Sequence, residues 1–379
     1  MTGLYIHIPF CATRCSYCDF YSQTNSALRS EYIQALIAEM SIRRAEVTDT
    51  IGTLYFGGGT PSLLSPQEIG RIIEQVYRLF SFSSDAEITL EANPDDLNTS
   101  YVQELRTLPI SRISMGAQSF HDEDLHFLNR RHNARQVLEV VDTCRNAGLT
   151  NLSIDLIYGL PGQTPARWQE NISAVLALSP PHLSAYHLIY EEGTPLTRLL
   201  HAGKVREVDE EVSLELFRML REQLTGAGYE HYEISNFARS GYHSRHNSSY
   251  WQDTPYLGLG PSAHSFDGPV VCMGKMLPTR LSLQAEAKIE AGKPLFTEEI
   301  LTDNDRYNEV VMTRLRTACG LSPDQIGHLF GKESAERCIR TAAPFIRDGL
   351  LHEEADGRIR LTEKGIFLSD RIISEFFIV

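Results

Sequence analysis

The chain has 379 residues, of which 42% are hydrophobic and 22% are charged, a composition typical of a globular protein with a large core. Its formal net charge is -14 at pH 7. Because nucleic acids and anionic membranes attract basic surfaces, this charge argues against either as the main partner.

Short β-rich segments alternate with amphipathic helical segments from the N-terminus to about residue 194, which is typical of a parallel sheet with crossover helices. Strands are predicted at 4–9, 53–57, 87–91, 112–116, 151–158 and 182–190. Helices are predicted at 31–45, 66–79, 134–147 and 165–178. Six repeats rather than eight predict an α/β fold in the form of an incomplete, open (β/α)6 barrel.

Three cysteines follow the first predicted strand, Cys11, Cys15 and Cys18, with the spacing C-x-x-x-C-x-x-C. Three thiolates on one loop can bind three irons of a 4Fe-4S cluster and leave the fourth iron open to an exogenous ligand. Zinc is the alternative, but it normally takes four protein ligands. The other cysteines have neither metal-site nor disulfide spacing and are interpreted as small core residues: 144, 272, 319 and 338.

The cysteine loop, with Tyr17 before its third cysteine, resembles the signature of the radical S-adenosylmethionine (radical SAM) superfamily. The resemblance implies that the amine and carboxylate of S-adenosylmethionine bind the open iron. It also implies that an electron from the cluster cleaves the sulfonium to a deoxyadenosyl radical, while the protein orients the cofactor and excludes water. The motif specifies the cofactor and leaves the substrate open.

Glycine-rich and polar residues follow the next strands, at the edge where the carboxyl ends of parallel strands meet. Each polar residue taken alone could be a solvated loop or capping group. Together they resemble the cofactor residues of the subgroup that contains oxygen-independent coproporphyrinogen III oxidase. The resemblance implies that one S-adenosylmethionine contacts Tyr5, Gly58 and Glu91, and that a second contacts Gly59, Thr60, Gln118, Arg130 and Asp155. Whether one or two molecules bind stays open.

The second half of the chain changes pattern. A helix to about residue 227 and a strand-like segment, 229–237, precede a glycine- and aromatic-rich stretch, 241–274. Then come helices at 303–318, near 323–330 and at 334–347, a hairpin at 350–361 and a final helix. We therefore predict a radical SAM partial barrel (1–235), a connecting region (236–300) and a winged-helix-like domain (301–379).

Winged helices often bind DNA, so a DNA-binding regulator that uses the cluster as a redox sensor is one alternative. However, the segment from residue 301 has 11 basic and 13 acidic residues. This balance favours a structural or gating role for the domain.

The connecting region contains the run Arg245-His246-Asn247-Ser248-Ser249-Tyr250-Trp251. It resembles the H-N-x-x-Y-W motif of haem chaperones of the HemW type. Aromatic rings can stack on a porphyrin and an imidazole can bind its iron, so His246 is predicted as a haem ligand and His264 as a weaker candidate.

Two departures separate the chain from the coproporphyrinogen oxidase branch. Phe20 stands where that branch has a further cysteine, and the extension that precedes its first strand is not seen. We therefore predict a haem chaperone with a 4Fe-4S cluster and S-adenosylmethionine, which delivers haem to acceptor proteins that include membrane-bound respiratory ones. The alternative is an oxygen-independent coproporphyrinogen III dehydrogenase.

The sequence also predicts where the protein acts and with what. No stretch is long and apolar enough to span a bilayer, and the first strand starts too near Met1 for a signal segment. We expect a cytoplasmic protein, since reducing conditions suit free thiols and an oxygen-sensitive cluster. No nucleic-acid partner is expected, and a homodimer is left open.

Overall fold

The computed structural model describes residues 1–268, 270–274 and 296–378. Its centre is a parallel sheet of six strands, each hydrogen-bonded to the next along the chain. The strands are β1 (Thr2–Ile8), β2 (Ile51–Gly58), β3 (Phe82–Ala92), β4 (Arg112–Gln118), β5 (Leu152–Tyr158) and β6 (His182–His187). Their side chains are buried on both faces almost throughout β1 and β2, as expected of a sheet that is covered by helices.

Crossover helices connect these strands: α1 (Arg29–Arg43), α2 (Pro66–Leu79), α3 (Thr99–Leu105), α4 (Asp122–Phe127), α5 (Ala134–Asn146) and α6 (Pro165–Leu178). The bounds of α2 and α6 are those that the sequence predicts, because local signals define them. Ser65 caps α2 in a capping box with Glu68, and Pro66 occupies the first turn. The short helices α3 and α4 were not predicted, since six or seven residues show little periodicity.

The sheet is open, as predicted, because its two ends pair with other strands rather than with each other. At one end β6 is followed by α7 (Pro195–His201) and α8 (Glu210–Gly226), and then pairs with a hairpin of β7 (Glu230–Glu233) and β8 (Asn236–Ala238). The predicted strand at 229–237 is therefore two antiparallel strands. Strand β6 ends at His187 rather than at 190.

At the other end of the sheet, the glycine- and aromatic-rich stretch and the residues after it, for which no strand was predicted, add further strands. After α9 (Arg245–Tyr250) come β9 (Tyr256–Leu259), β10 (His264–Phe266), β11 (Val270–Gly274) and β12 (Phe296–Ile300). Strand β9 pairs in parallel with β1, and the others follow antiparallel. The predicted connecting region includes residues 269 and 275–295, which lie outside the described part.

The C-terminal segment has the predicted order of helices followed by a hairpin. Its elements are α10 (Asp303–Leu315), α11 (Pro323–Phe330), α12 (Lys332–Arg347), β13 (Leu351–Glu353), β14 (Ile359–Leu361), α13 (Glu363–Phe367) and α14 (Ser369–Phe376). They share a hydrophobic core of their own, which includes Tyr307, Ile326 and Phe376. The predicted boundaries at 235 and 300 stay a prediction. None of the described helices is both long and apolar enough to cross a membrane.

Candidate cofactor site

A cavity of about 430 Å³ opens at the carboxyl ends of the parallel strands. This volume lies in the usual range for small-molecule sites. Eleven of the fourteen predicted site residues line it: Cys11, Cys15, Tyr17, Cys18, Gly58, Gly59, Thr60, Glu91, Gln118, Arg130 and Asp155. Residues separated by up to 144 positions along the chain therefore meet, because most of them lie at or beyond the carboxyl ends of neighbouring strands, with Asp155 in the middle of β5.

The cysteine loop is closed at its base by backbone hydrogen bonds. The N–H of Cys11 donates to the carbonyl of Gln23 (2.9 Å), and the N–H of Gln23 donates to the carbonyl of Pro9 (2.7 Å). His7 Nε2 lies 2.9 Å from the carbonyl oxygen of Tyr21, which ties the far side of the loop to β1. These contacts hold the cysteines over the cavity.

The three thiols of the loop are free and half-buried. Burial raises the pKa of Cys18 to about 11 and also raises that of Cys11. Bound iron would reverse this preference, because a coordinating thiol is deprotonated. Among the described residues, no three His, Cys, Asp or Glu side chains form a site for a single metal ion. A 4Fe-4S cluster does not need one, because each cysteine binds a different iron, so the donor set fits it.

Glycines let the end of β2 pass close beneath the loop. Gly58 has a φ of +109°, which L residues rarely adopt. A Cβ at Gly59 would lie 2.7 Å from the carbonyl oxygen of Phe10. Beside them, the hydroxyl of Thr60 donates to Sγ of Cys11 (3.5 Å), so the glycine run and the cysteine loop are in direct contact.

Glu91 is held at the edge of the cavity by two donors. Its Oε1 accepts from the hydroxyl of Tyr55 (2.7 Å), and its Oε2 accepts from the N–H of Gly58 (3.2 Å). Desolvation, with a smaller effect from the charge of Asp155, raises the pKa of Glu91 to about 7. A carboxylate in this position favours a cationic or N–H-donating ligand.

Asp155 is the second acidic group in the cavity. Its carboxylate accepts from the hydroxyls of Ser114 and Ser153, each at 3.3 Å. Burial raises the pKa of Asp155, while these hydroxyls oppose the rise. Such a group can accept further hydrogen bonds, for example from ribose hydroxyls.

Arg130 connects the cysteine loop to the strand ends. Its Nη1 donates to Sγ of Cys15 (3.3 Å), and its Nη2 donates to the carbonyl of Gly116 (2.7 Å) and to Oδ1 of Asn93 (2.5 Å). Nearby, Gln118 ends β4 with a φ of +68°, an uncommon conformation for a residue other than glycine. The guanidinium thus faces both the sulfur ligands and the cavity.

Three predicted residues do not line the cavity: Tyr5, His246 and His264. Tyr5 lies beneath it, with its hydroxyl 3.2 Å from His7 Nδ1 and its ring stacked on Tyr55. His246 is 1% exposed, and both of its ring nitrogens are hydrogen-bonded within the protein. The haem-ligand role of His246 stays a prediction, as does that of His264, which is exposed.

Several residues that line the cavity were not predicted from the sequence. Asn93 joins Arg130 to Thr60, and Tyr55 holds Glu91, yet neither was singled out. The spacing along the strands could have identified them, because side chains two residues apart on a strand share a face. Tyr55 precedes Gly57 by two residues, and Asn93 follows Glu91 by two. Asn247 and Tyr186 also line the cavity.

The cysteines outside the loop differ in burial. Cys144 and Cys338 are buried, as expected of small core residues. Cys319 is exposed, so the core interpretation was wrong for it, because it lies in the turn after α10. The side chain of Cys272 lies outside the described part.

Comparison with known proteins gives concordant results along the chain. Residues 5–175 match the Radical SAM superfamily, and residues 301–368 match the HemN C-terminal domain. The chain is 31% identical over 380 residues to "Heme chaperone HemW" of Bacillus subtilis, covering 99% of each protein. It is 32% identical over 376 residues to the protein of that name in Mycobacterium tuberculosis, covering 98% of this chain and 93% of that one.

One solved structure is similar over almost the whole chain. It is that of coproporphyrinogen III oxidase (HemN) from Escherichia coli, a radical SAM enzyme, with a TM-score of 0.83 and 27% identity. The similarity covers 99% of this chain and 90% of the other. These findings confirm the resemblance inferred from the cysteine loop and the H-N-x-x-Y-W run. The chain belongs to the radical SAM superfamily and, within it, to the family of the HemW proteins.

Proposed function

We propose that this protein is a haem chaperone, which binds haem and transfers it to haem-requiring acceptor proteins. One observation carries the proposal: the similarity to proteins named "Heme chaperone HemW" extends over 98–99% of the chain, including the cavity and the C-terminal segment. Phe20 supports it, because it occupies the cavity rim where the coproporphyrinogen oxidase branch has a further cysteine.

We assign the 4Fe-4S cluster to Cys11, Cys15 and Cys18, and S-adenosylmethionine to the cavity beside them. When bound, the cluster supplies an electron to the sulfonium. The protein's own groups orient the cofactor, because Glu91 and Asp155 accept from its amine and hydroxyl donors. Whether one or two cofactor molecules occupy the cavity follows from their stoichiometry in calorimetry.

The rim of the cavity fits the amphipathic character of haem. Phe20 and Ile189 are each 64% exposed, and both line the cavity, as does the exposed Tyr186. Exposed large apolar side chains at one site mark a surface that binds an apolar partner. Arg14 lies at the same cavity and can pair with a propionate, whereas Arg131, which also lines it, is paired with Asp95 and Asp96.

Replacing Phe20 and Ile189 with serine should weaken haem binding about a hundredfold, because the porphyrin would lose apolar contacts worth about 1.5 kcal/mol per side chain, and every 1.4 kcal/mol or so is about tenfold in affinity. S-adenosylmethionine binding should weaken less than haem binding, since the groups proposed to contact that cofactor, Glu91 and the glycine run, are kept. Haem titration followed by absorbance and cofactor calorimetry measure the two effects. The control is Ile339→Ser, which alters another exposed apolar side chain, on α12 and outside the cavity lining. Equal haem affinity in wild type and both variants would show that haem does not bind at this rim.

The alternative function is that of an oxygen-independent coproporphyrinogen III dehydrogenase, which the similarity to the Escherichia coli enzyme favours. Anaerobic reconstitution of the cluster, followed by parallel assays of haem binding and of coproporphyrinogen III consumption, separates the two. We expect stoichiometric haem binding without consumption. Formation of protoporphyrinogen IX that depends on S-adenosylmethionine would establish the dehydrogenase instead.

The proposal extends to the compartment, the acceptors and the oligomeric state of the protein. We infer a cytoplasmic chaperone, because reduced thiols and a cluster with an open iron need a reducing compartment. The proposed acceptors include membrane-bound respiratory proteins. A homodimer stays open to measurement by light scattering of the loaded protein.

A further inference from the structure

The H-N-x-x-Y-W run forms the short helix α9, which closes the cavity from below. Its Asn247 lines the cavity, whereas His246 contacts Thr53 in β2. The carboxylate of Glu87, in the middle of β3, accepts from the N–H groups of Arg245 (2.9 Å) and His246 (3.2 Å). The helix is therefore anchored to β2 and β3 and forms the floor of the cavity.

The imidazole of His246 is fully engaged within this floor. Nδ1 lies 2.8 Å from the hydroxyl of Thr53, and Nε2 lies 2.9 Å from the hydroxyl of Tyr250. Burial lowers the pKa of His246 to about 3, so the ring is neutral. Iron could bind either nitrogen only after one of these hydrogen bonds broke and the ring left the core.

The ring of His246 also supports the residue that holds Glu91. It stacks on Tyr55, with the two ring centres 4.9 Å apart and an interplanar angle of 24°. The hydroxyl of Tyr55 then donates to Oε1 of Glu91 at 2.7 Å. A continuous path of packed groups thus leads from the motif helix to the carboxylate at the cavity edge.

We propose that His246 is a positioning residue of the cofactor site, which orients Tyr55 and through it Glu91, and that it is not the haem ligand. The H-N-x-x-Y-W run is then the floor of the S-adenosylmethionine cavity rather than a porphyrin surface. This inference rests on the proposed function only in taking Glu91 as a contact of the cofactor.

Three variants test the path from His246 to Glu91. Tyr55→Phe keeps the ring and removes the hydroxyl. His246→Phe keeps the stacking on Tyr55 and removes the two hydrogen bonds of the imidazole. His246→Ala removes the stacking and the two hydrogen bonds. Tyr55→Phe and His246→Ala should each lower the affinity of the cluster-loaded protein for S-adenosylmethionine about five- to tenfold, and His246→Phe should lower it less. The double variant His246→Ala/Tyr55→Phe should bind S-adenosylmethionine no more weakly than the single variant with the lower affinity, because both changes interrupt one path.

A second measurement does not need the cofactor. The Tyr55 hydroxyl lowers the pKa of Glu91, so its loss or misplacement should raise that pKa, which carbon NMR of the labelled carboxyl reports directly. Thr53→Val removes only the partner of Nδ1 and should also raise the pKa of Glu91. This variant replaces the His246 variants in the test if those fold poorly. Other titratable groups around Glu91 are unchanged in these variants: Asp155, Tyr5, Tyr186 and Tyr250.

Haem titration separates this inference from the haem-ligand prediction. The Soret maximum and haem affinity of His246→Phe should equal those of the wild type. Loss of haem affinity with a normal pKa of Glu91 would overturn the inference, and so would additive effects in the double variant. A wild-type protein that binds no haem would refute the proposed chaperone function, while the NMR and cofactor measurements would still decide the role of His246.

Discussion

Serine in place of Cys11, Cys15 or Cys18 should abolish the brown chromophore of the anaerobically reconstituted protein. Each cysteine is expected to bind a different iron, so no neighbouring group can replace the one that is lost. A serine hydroxyl is also a much harder, more weakly ionised ligand than a thiolate. Iron and sulfide analysis, together with electron paramagnetic resonance of the reduced protein, measures the loss.

The chain provides matched controls among its other free cysteines. Cys319→Ser alters an exposed thiol, and Cys144→Ser alters a buried one that lies outside the cavity. Both should retain the iron, sulfide and spectrum of the wild type, with Cys144→Ser costing only stability. A triple variant of Cys11, Cys15 and Cys18 that kept wild-type iron and sulfide would show that the cluster is bound elsewhere.

Binding of S-adenosylmethionine should weaken as the pH falls through about 7. The pKa of Glu91 is raised to about this value, so its carboxylate is ionised above pH 7 and protonated below it. Only the ionised form accepts strong, charge-assisted hydrogen bonds from a cofactor that carries a sulfonium charge and N–H donors. Glu91→Gln keeps the shape but not the charge, and should bind the cofactor about ten- to a hundredfold more weakly above pH 7.

Calorimetry on the cluster-loaded proteins from about pH 6 to about pH 8.5, a range that spans the pKa of Glu91, compares the cofactor affinity of the wild type with that of Glu91→Gln. The wild type and Glu91→Gln should converge at the acidic end, where both side chains are neutral. Glu139→Gln on α5 is the control, because it changes an exposed carboxylate far from the cavity. Parallel profiles for wild type and Glu91→Gln would exclude Glu91 from the cofactor site.

The sequence by itself determined the features that depend on residues near one another along the chain. The spacing of Cys11, Cys15 and Cys18 identifies the cofactor, because a few residues determine which thiols can reach one cluster. The bounds of α2 follow from Ser65, Glu68 and Pro66, which satisfy the first turn of the helix. The alternation of strands and helices predicted that the residues after successive strands share one edge of the sheet, and the cavity contains them.

Only the tertiary structure decided which residues from distant segments touch. Thr53 and His246 are 193 positions apart and meet through a hydrogen bond that no local periodicity encodes. The pairing of β9 with β1 is equally invisible in the sequence, because short strands that contain glycine carry little pattern. His246 illustrates the physical reason. The motif specifies an imidazole near aromatic rings, but burial and the two hydrogen-bond partners, which come from the fold, decide what its nitrogens are free to bind.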